Sequence, residues 1–137
     1  MLEVGLAELL GFRFGALGPD EVTITWTTGP EHFQPFGLVH GGVYCTAVET
    51  AASIGGQLWY GDRGQVVGVS NHTDFLRPVS SGALTAVGTP IHRGRSQQLW
   101  GVEIRDEQDR LVARGQVRLQ NLPGSVTAPA VGPGSTS

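Results

Sequence analysis

The chain has 137 residues, 39% of them hydrophobic, with 12 acidic residues against 9 Lys and Arg and a formal charge of -3. That length suits one domain with a real core, and the acidic balance excludes the basic stripe a nucleic-acid surface needs. A single cysteine, Cys45, excludes an intrachain disulfide and a cysteine-based zinc site and points to a reducing cytoplasm.

Leu2, Leu6, Leu9 and Leu10 share one face of a short predicted amphipathic helix. The N-terminus around them lacks the positive region and long apolar stretch of a signal peptide. From Gly11 to Thr28 the pattern alternates around Gly18-Pro19-Asp20, which predicts a hairpin of two antiparallel strands. Gly29 to Leu38 reads as a Gly/Pro-rich loop. Val43 to about Leu58 is then the one long helix, apolar nearly all round and so expected to be buried. Past Gly61–Gly64 come strand-like runs at Gln65–Leu76, Gly82–His92, Ser96–Arg105 and Leu111–Gln120, the last two joined by a turn over Asp106–Arg110. Residues 1–122 are read as the folded domain and 123–137, made of Pro, Gly, Ser, Thr, Ala and Val, as a disordered tail. No run reaches the roughly eighteen apolar residues of a membrane span, so no membrane partner is expected. The outline is α+β: one long central helix wrapped by a meandering antiparallel sheet of five to six strands, the hotdog arrangement.

The chemistry concentrates in Gln34 to Ser53, QPFGLVHGGVYCTAVETAAS. A glycine pair opening a helix leaves unpaired N–H groups at its positive end, where a developing oxyanion can be held. Glu49 is a carboxylate among Val43, Ala47, Val48, Ala51 and Ala52, costly to bury without a partner or a purpose. It is the candidate base or nucleophile, against the plainer reading of a paired structural carboxylate. Gln34 can orient a water or the attacked carbonyl. His40 points to a role in holding the loop rather than in proton transfer. Ser53, one turn after Glu49, either hydrogen-bonds it or merely packs. Gly41 and Glu49 stand eight positions apart on one helix, about 12 Å along its axis. One acyl group cannot meet both from the same subunit, so a site shared across a two-fold dimer follows.

The run His92-Arg93-Gly94-Arg95-Ser96-Gln97 between two strands suits phosphate contact, against the alternative of a solvated turn. His32, His40, His72 and His92 are scattered without ligand spacing, so no metal is expected. A nucleophile-elbow pattern is missing: Gly68-Val69-Ser70-Asn71-His72 lacks its closing glycine. No phosphate-binding loop or dinucleotide fingerprint appears either.

These residues resemble the hotdog-fold acyl-CoA thioesterases. The resemblance rests on Q-P-F-G-L-V-H-G-G followed by Glu49, V-V-G-V at Val66–Val69, H-R-G-R at His92–Arg95, Q-L-W at Gln98–Trp100 and D-R-L-V-A at Asp109–Ala113. It runs from Gly11 to Leu122 and is nearest the branch acting on aromatic acyl-CoAs, which includes the dihydroxynaphthoyl-CoA thioesterase of menaquinone synthesis, the enterobactin proofreading thioesterase and one type of 4-hydroxybenzoyl-CoA thioesterase. The resemblance implies Glu49 as the catalytic carboxylate, Gly41 as the polarising N–H, Gln34 as its helper, His40 as the loop histidine and Ser53 as the residue beside the attacking water. It further implies CoA or acyl contacts at Gly68, at Phe75, Leu76, Arg77 and Pro78, and at His92, Arg93, Gly94, Arg95, Ser96 and Gln97. Phe75 departs from the histidine of the naphthoyl-CoA enzymes. CoA enters only as part of the substrate, with no separate cofactor, and the family forms homotetramers built from dimers. The competing expectations are a proofreader of carrier-protein-bound acyl groups and a non-catalytic acyl-CoA-binding module.

Overall fold

In the computed structural model, which describes residues 2–124, one long helix lies against a single six-stranded antiparallel sheet. A short helix α1 (Gly5–Leu9) leads into β1 (Arg13–Leu17) and β2 (Val22–Thr27). The central helix α2 (Gly41–Tyr60) follows, then β3 (Gly64–Phe75), β4 (Ala83–Arg93), β5 (Gln97–Arg105) and β6 (Leu111–Pro123). The strands line up in the order β1-β2-β4-β5-β6-β3. The expected meander therefore holds for β4-β5-β6 but not for β3. The chain leaves α2, lays β3 along the far edge beside β6, and crosses back to place β4 against β2. Local alternation predicts strands, but not which neighbour each one takes.

Alternation sets the two faces of the sheet. In β2, Val22, Ile24 and Trp26 are buried while Thr25 and Thr27 are exposed. In β6, Val117 and Leu119 point to the core while Arg114, Gln116 and Arg118 point out. The helix sits on the apolar face. Gly55 and Gly56 let it approach closely: a Cβ at Gly55 would lie 2.5 Å from the Trp100 ring, and one at Gly56 would strike Leu119 Cδ1.

Several expectations are revised. Helix α2 begins at Gly41 and ends at Tyr60, a little beyond the predicted Val43–Leu58 at each end. It is not buried all round: Val43, Tyr44, Ala47, Val48, Ala51, Ala52, Gly55 and Gly56 face the sheet, while Cys45, Thr46, Glu49, Thr50, Ser53 and Ile54 are half-buried, because one sheet covers only one side of a cylinder. The N-terminal helix shrinks to Gly5–Leu9 and leaves Leu2, Leu6 and Leu9 exposed. Leu10 and Phe12 enter the core in its place. The tail expected over 123–137 lies outside the described residues beyond Gly124, and β6 extends through Pro123. No helix among the described residues is long and apolar enough to cross a membrane.

Candidate active site

The start of α2 is built around His40. Its Nδ1 accepts the Gly42 N–H at 2.7 Å and its carbonyl accepts the Val43 N–H at 3.0 Å. The first helical amides have no partner within the helix. With Gly42 and Val43 satisfied by His40, the Gly41 N–H is left without an acceptor among the described residues. Loop residues before the helix are anchored in turn, His40 N–H donating to the His32 carbonyl at 2.7 Å and Val39 N–H to the Val79 carbonyl at 2.9 Å. His32 is itself a core residue, its Nδ1 accepting from Gly29 N–H and its Nε2 lying 2.7 Å from the Leu10 carbonyl.

Gly41 opens into a hollow of about 330 Å³ shared with Gln34, Leu38, Tyr44, Phe75 and Arg77. Gln34 Oε1 is occupied by the Phe36 N–H, which leaves the side-chain NH₂ for the hollow. The Phe75 ring rests on Gly41: a Cβ there would lie 2.5 Å from Phe75 Cε2. Phe75 and Tyr44 stand 6.0 Å apart at 37°, so two aromatic rings flank the free amide. The Tyr44 hydroxyl is buried without a partner, and burial pushes its pKa up to about 12, which keeps the phenol neutral.

Glu49 faces a different hollow, of about 480 Å³, with Leu6, Cys45, Thr46, Thr50 and Asn71. Its Oε1 accepts from Asn71 Nδ2 at 3.1 Å, and Ser53 Oγ lies 3.4 Å from Oε2. Its Oε2 also lies against Gly68, where a Cβ would collide with it. The carboxylate thus occupies space that a side chain on β3 would otherwise fill. Within one chain the carboxylate and the free amide sit in separate hollows, as the spacing along the helix requires.

The run His92–Gln97 spans the end of β4, the turn over 94–96 and the start of β5, apart from both hollows. A buried polar chain holds it: Trp100 Nε1 donates to Gln98 Oε1 (2.8 Å), and Gln98 Nε2 donates to Asn121 Oδ1 (2.8 Å) and to the Gly56 carbonyl (3.2 Å). Asn121 Nδ2 donates to the Gly94 and Arg95 carbonyls. Arg93 is tied to Asp20 (3.0 Å) and the Pro19 carbonyl (2.8 Å) and lies 5.3 Å from the Trp59 ring centroid. Arg95 is exposed, with no side-chain partner among the described residues. Gln97 pairs with Gln120 and Arg118. No group of three His, Cys, Asp or Glu side chains among the described residues could hold a metal ion.

The predicted site residues thus fall into three places: Gln34, Gly41 and Phe75–Pro78 at one hollow with His40 as cap, Glu49 with Ser53 and Gly68 at the other, and His92–Gln97 at the turn. Sequence reasoning missed Tyr44 and Asn71. Tyr44 reads as one more apolar helix position. Asn71 is hidden by a β-bulge, for which the pattern of residues carries no signal.

The profile of the Thioesterase superfamily matches residues 36–113. Rv1847 of Mycobacterium tuberculosis H37Rv is 52% identical over 116 residues, 82% of this chain and 83% of that protein. Its solved structure superposes with a TM-score of 0.87 at 48% identity, covering 90% of this chain and 100% of that one. The proofreading thioesterase EntH of Cronobacter turicensis is 39% identical over 77% of each chain. The 1,4-dihydroxy-2-naphthoyl-CoA hydrolase of Escherichia coli K12 is 33% identical over 81% of this chain and 82% of its own.

Proposed function

This chain belongs to the thioesterase superfamily and is a hotdog-fold hydrolase; from that premise we propose that it cleaves an aromatic acyl-CoA thioester to the free acid and CoA. The observation that carries this reading is the unpartnered Gly41 N–H in the same hollow as Gln34, with the carboxylate of Glu49 displaced along the same helix. In the proposed reaction the carbonyl enters from the Gly41 side, and negative charge developing on its oxygen is held by that N–H at the positive helix end. Glu49 of the neighbouring subunit attacks directly, or takes a proton from the water that does. The carbon–sulfur bond breaks and CoA leaves. In the direct route water then hydrolyses the anhydride between Glu49 and the acyl group. In either route one water gives its OH to the acid and its other proton to the CoA thiolate. The reaction as written uses no metal or redox cofactor.

The aryl preference draws support from the Tyr44 and Phe75 rings beside the amide and from the names borne by the Escherichia coli and Cronobacter relatives. Phosphate contact at the β4–β5 turn falls to Arg95 and the backbone N–H groups, since Arg93 already serves Asp20. A homodimer as the active unit, assembled further to a tetramer in the cytoplasm, belongs to the same proposal. The twelve-residue β3, an open edge of the sheet that also carries Gly68 and Asn71, is a ready template for pairing with a second copy.

The test is steady-state hydrolysis of benzoyl-CoA, 4-hydroxybenzoyl-CoA, dihydroxynaphthoyl-CoA and a medium-chain acyl-CoA, each beside Glu49→Ala. The expected result is aryl-CoA turnover that falls by about a hundredfold or more in the variant. Faster cleavage of carrier-protein-bound acyl groups would replace CoA with a carrier as the substrate. If no thioester were cleaved, or Glu49→Ala matched the parent, the chain would read as a binding module instead.

A further inference from the structure

In a regular strand, residues facing α2 would alternate without interruption from Gly64 through Val66 and Gly68 to Ser70, His72 and Asp74. They do not. Gly68 pairs with Leu119 but Ser70 pairs with Arg118, so Val69 is an extra residue and the pairing shifts there. A bulge of this kind re-aims every side chain that follows it. Past it the helix-facing positions are Asn71, Thr73 and Phe75, whereas His72 and Asp74 turn outward and lie 3.4 Å from each other in solvent.

The shift brings Asn71 to Glu49. Asn71 Nδ2 donates to Glu49 Oε1 at 3.1 Å and to the Cys45 carbonyl, one helical turn before Glu49, also at 3.1 Å. Thr73 Oγ1 donates to Asn71 Oδ1 at 2.7 Å, which fixes the amide with its NH₂ toward the carboxylate. Both N–H groups of Asn71 are thereby used. Glu49 Oε1 is tied to the helix backbone through one side chain, while Oε2 stays between Gly68 and Ser53.

We propose that Asn71 is a positioning residue for the thioester hydrolysis: it locks Glu49 Oε1 so that Oε2 is the oxygen presented to the thioester carbonyl or to water. The inference rests on Glu49 being the catalytic carboxylate. In this role Asn71 acts through Glu49, so its loss is read in turnover rather than in binding.

The experiment uses Asn71→Ala and Asn71→Asp in the full chain, assayed on whichever aryl-CoA the parent cleaves, with melting temperatures for each variant. A hydrogen bond to a charged group held in place sets the expected loss in kcat at about tenfold to a hundredfold, with KM within about twofold. The two variants separate a donated bond from mere space-filling. Aspartate keeps the shape of Asn71 but sets an oxygen where the donor was, so Asn71→Asp is expected to be no more active than Asn71→Ala. Aspartate outperforming alanine, a rise in KM at unchanged kcat, or parental kinetics in both would overturn the role of Asn71 while leaving the thioesterase reading intact. A kcat loss accounted for by unfolding at the assay temperature would count against it too. A parent that cleaves no thioester would remove both.

Discussion

Gly41 and Gly68 lack a side chain for different reasons. At Gly41 the space above Cα belongs to the Phe75 ring, and the useful group is the amide itself. At Gly68 the space belongs to Glu49 Oε2, so this glycine acts on a neighbouring element by giving a carboxylate room just before the bulge in β3. A methyl group there must push Glu49 off its bonds to Asn71 and Ser53. Gly68→Ala is therefore expected to cut kcat by about tenfold or more, since small misplacements of a reacting group are costly, while the melting temperature stays close to the parent because Gly68 lies on an exposed edge strand. Steady-state kinetics beside a thermal melt decide it: a variant with unchanged kcat would mean that Glu49 need not sit where the structure places it.

The β4–β5 turn shows how an element far from both hollows is held in place. Gln98 is fully buried, yet it satisfies Trp100 Nε1, Asn121 Oδ1 and the Gly56 carbonyl at once, binding β5, β6 and α2 into one polar chain. Asn121 passes that order to the Gly94 and Arg95 carbonyls. Replacing Gln98 by an apolar residue strands several buried polar groups, each worth about 1–3 kcal/mol when left unpaired. Gln98→Leu is expected to destabilise the fold by on the order of 2–3 kcal/mol in urea unfolding. It is also expected to raise KM for an acyl-CoA more than for a short thioester without the nucleotide, because the turn bearing Arg95 loosens. An equal rise for both thioesters would detach this turn from CoA recognition.

At the scale of the whole molecule, the separation of Glu49 from Gly41 makes a prediction that no single chain can meet. Proline is well accepted at the first helical position, where it removes only an amide hydrogen that the helix does not use. Gly41→Pro therefore deletes the oxyanion donor, and the exposed Phe75 ring must move aside. Gly41→Pro and Glu49→Ala should each be nearly inactive alone. Co-expressed, half of the dimers are mixed, and each mixed dimer holds one intact site made of Gly41 from one copy and Glu49 from the other, so about a quarter of parental activity should return. A site contained within one subunit would recover nothing, and that result would end the shared-site reading.

Much was legible from residues alone because it depends on neighbours along the chain. Alternation in Val22–Thr27 and in Leu111–Gln120, the apolar helix after His40-Gly41-Gly42, and the distance between Gly41 and Glu49 all follow from the repeat of a strand or a helix. Residues alone make His40 only a loop holder; its cap on the Gly42 N–H, two residues away, is a finding of the structure. The rest turned on contacts between residues distant in sequence. Placing β3 next to β6 rather than β4 is a matter of sheet closure over the helix, and one extra residue at Val69 changes which side of β3 faces Glu49. Within the run read as a phosphate contact, Arg93 is bound instead to Asp20 and set over Trp59, partners that lie far from it in sequence. Local periodicity is written in the order of the side chains; a change of register and a long-range partner are set by packing energies summed over the whole sheet, and only the folded chain carries that sum.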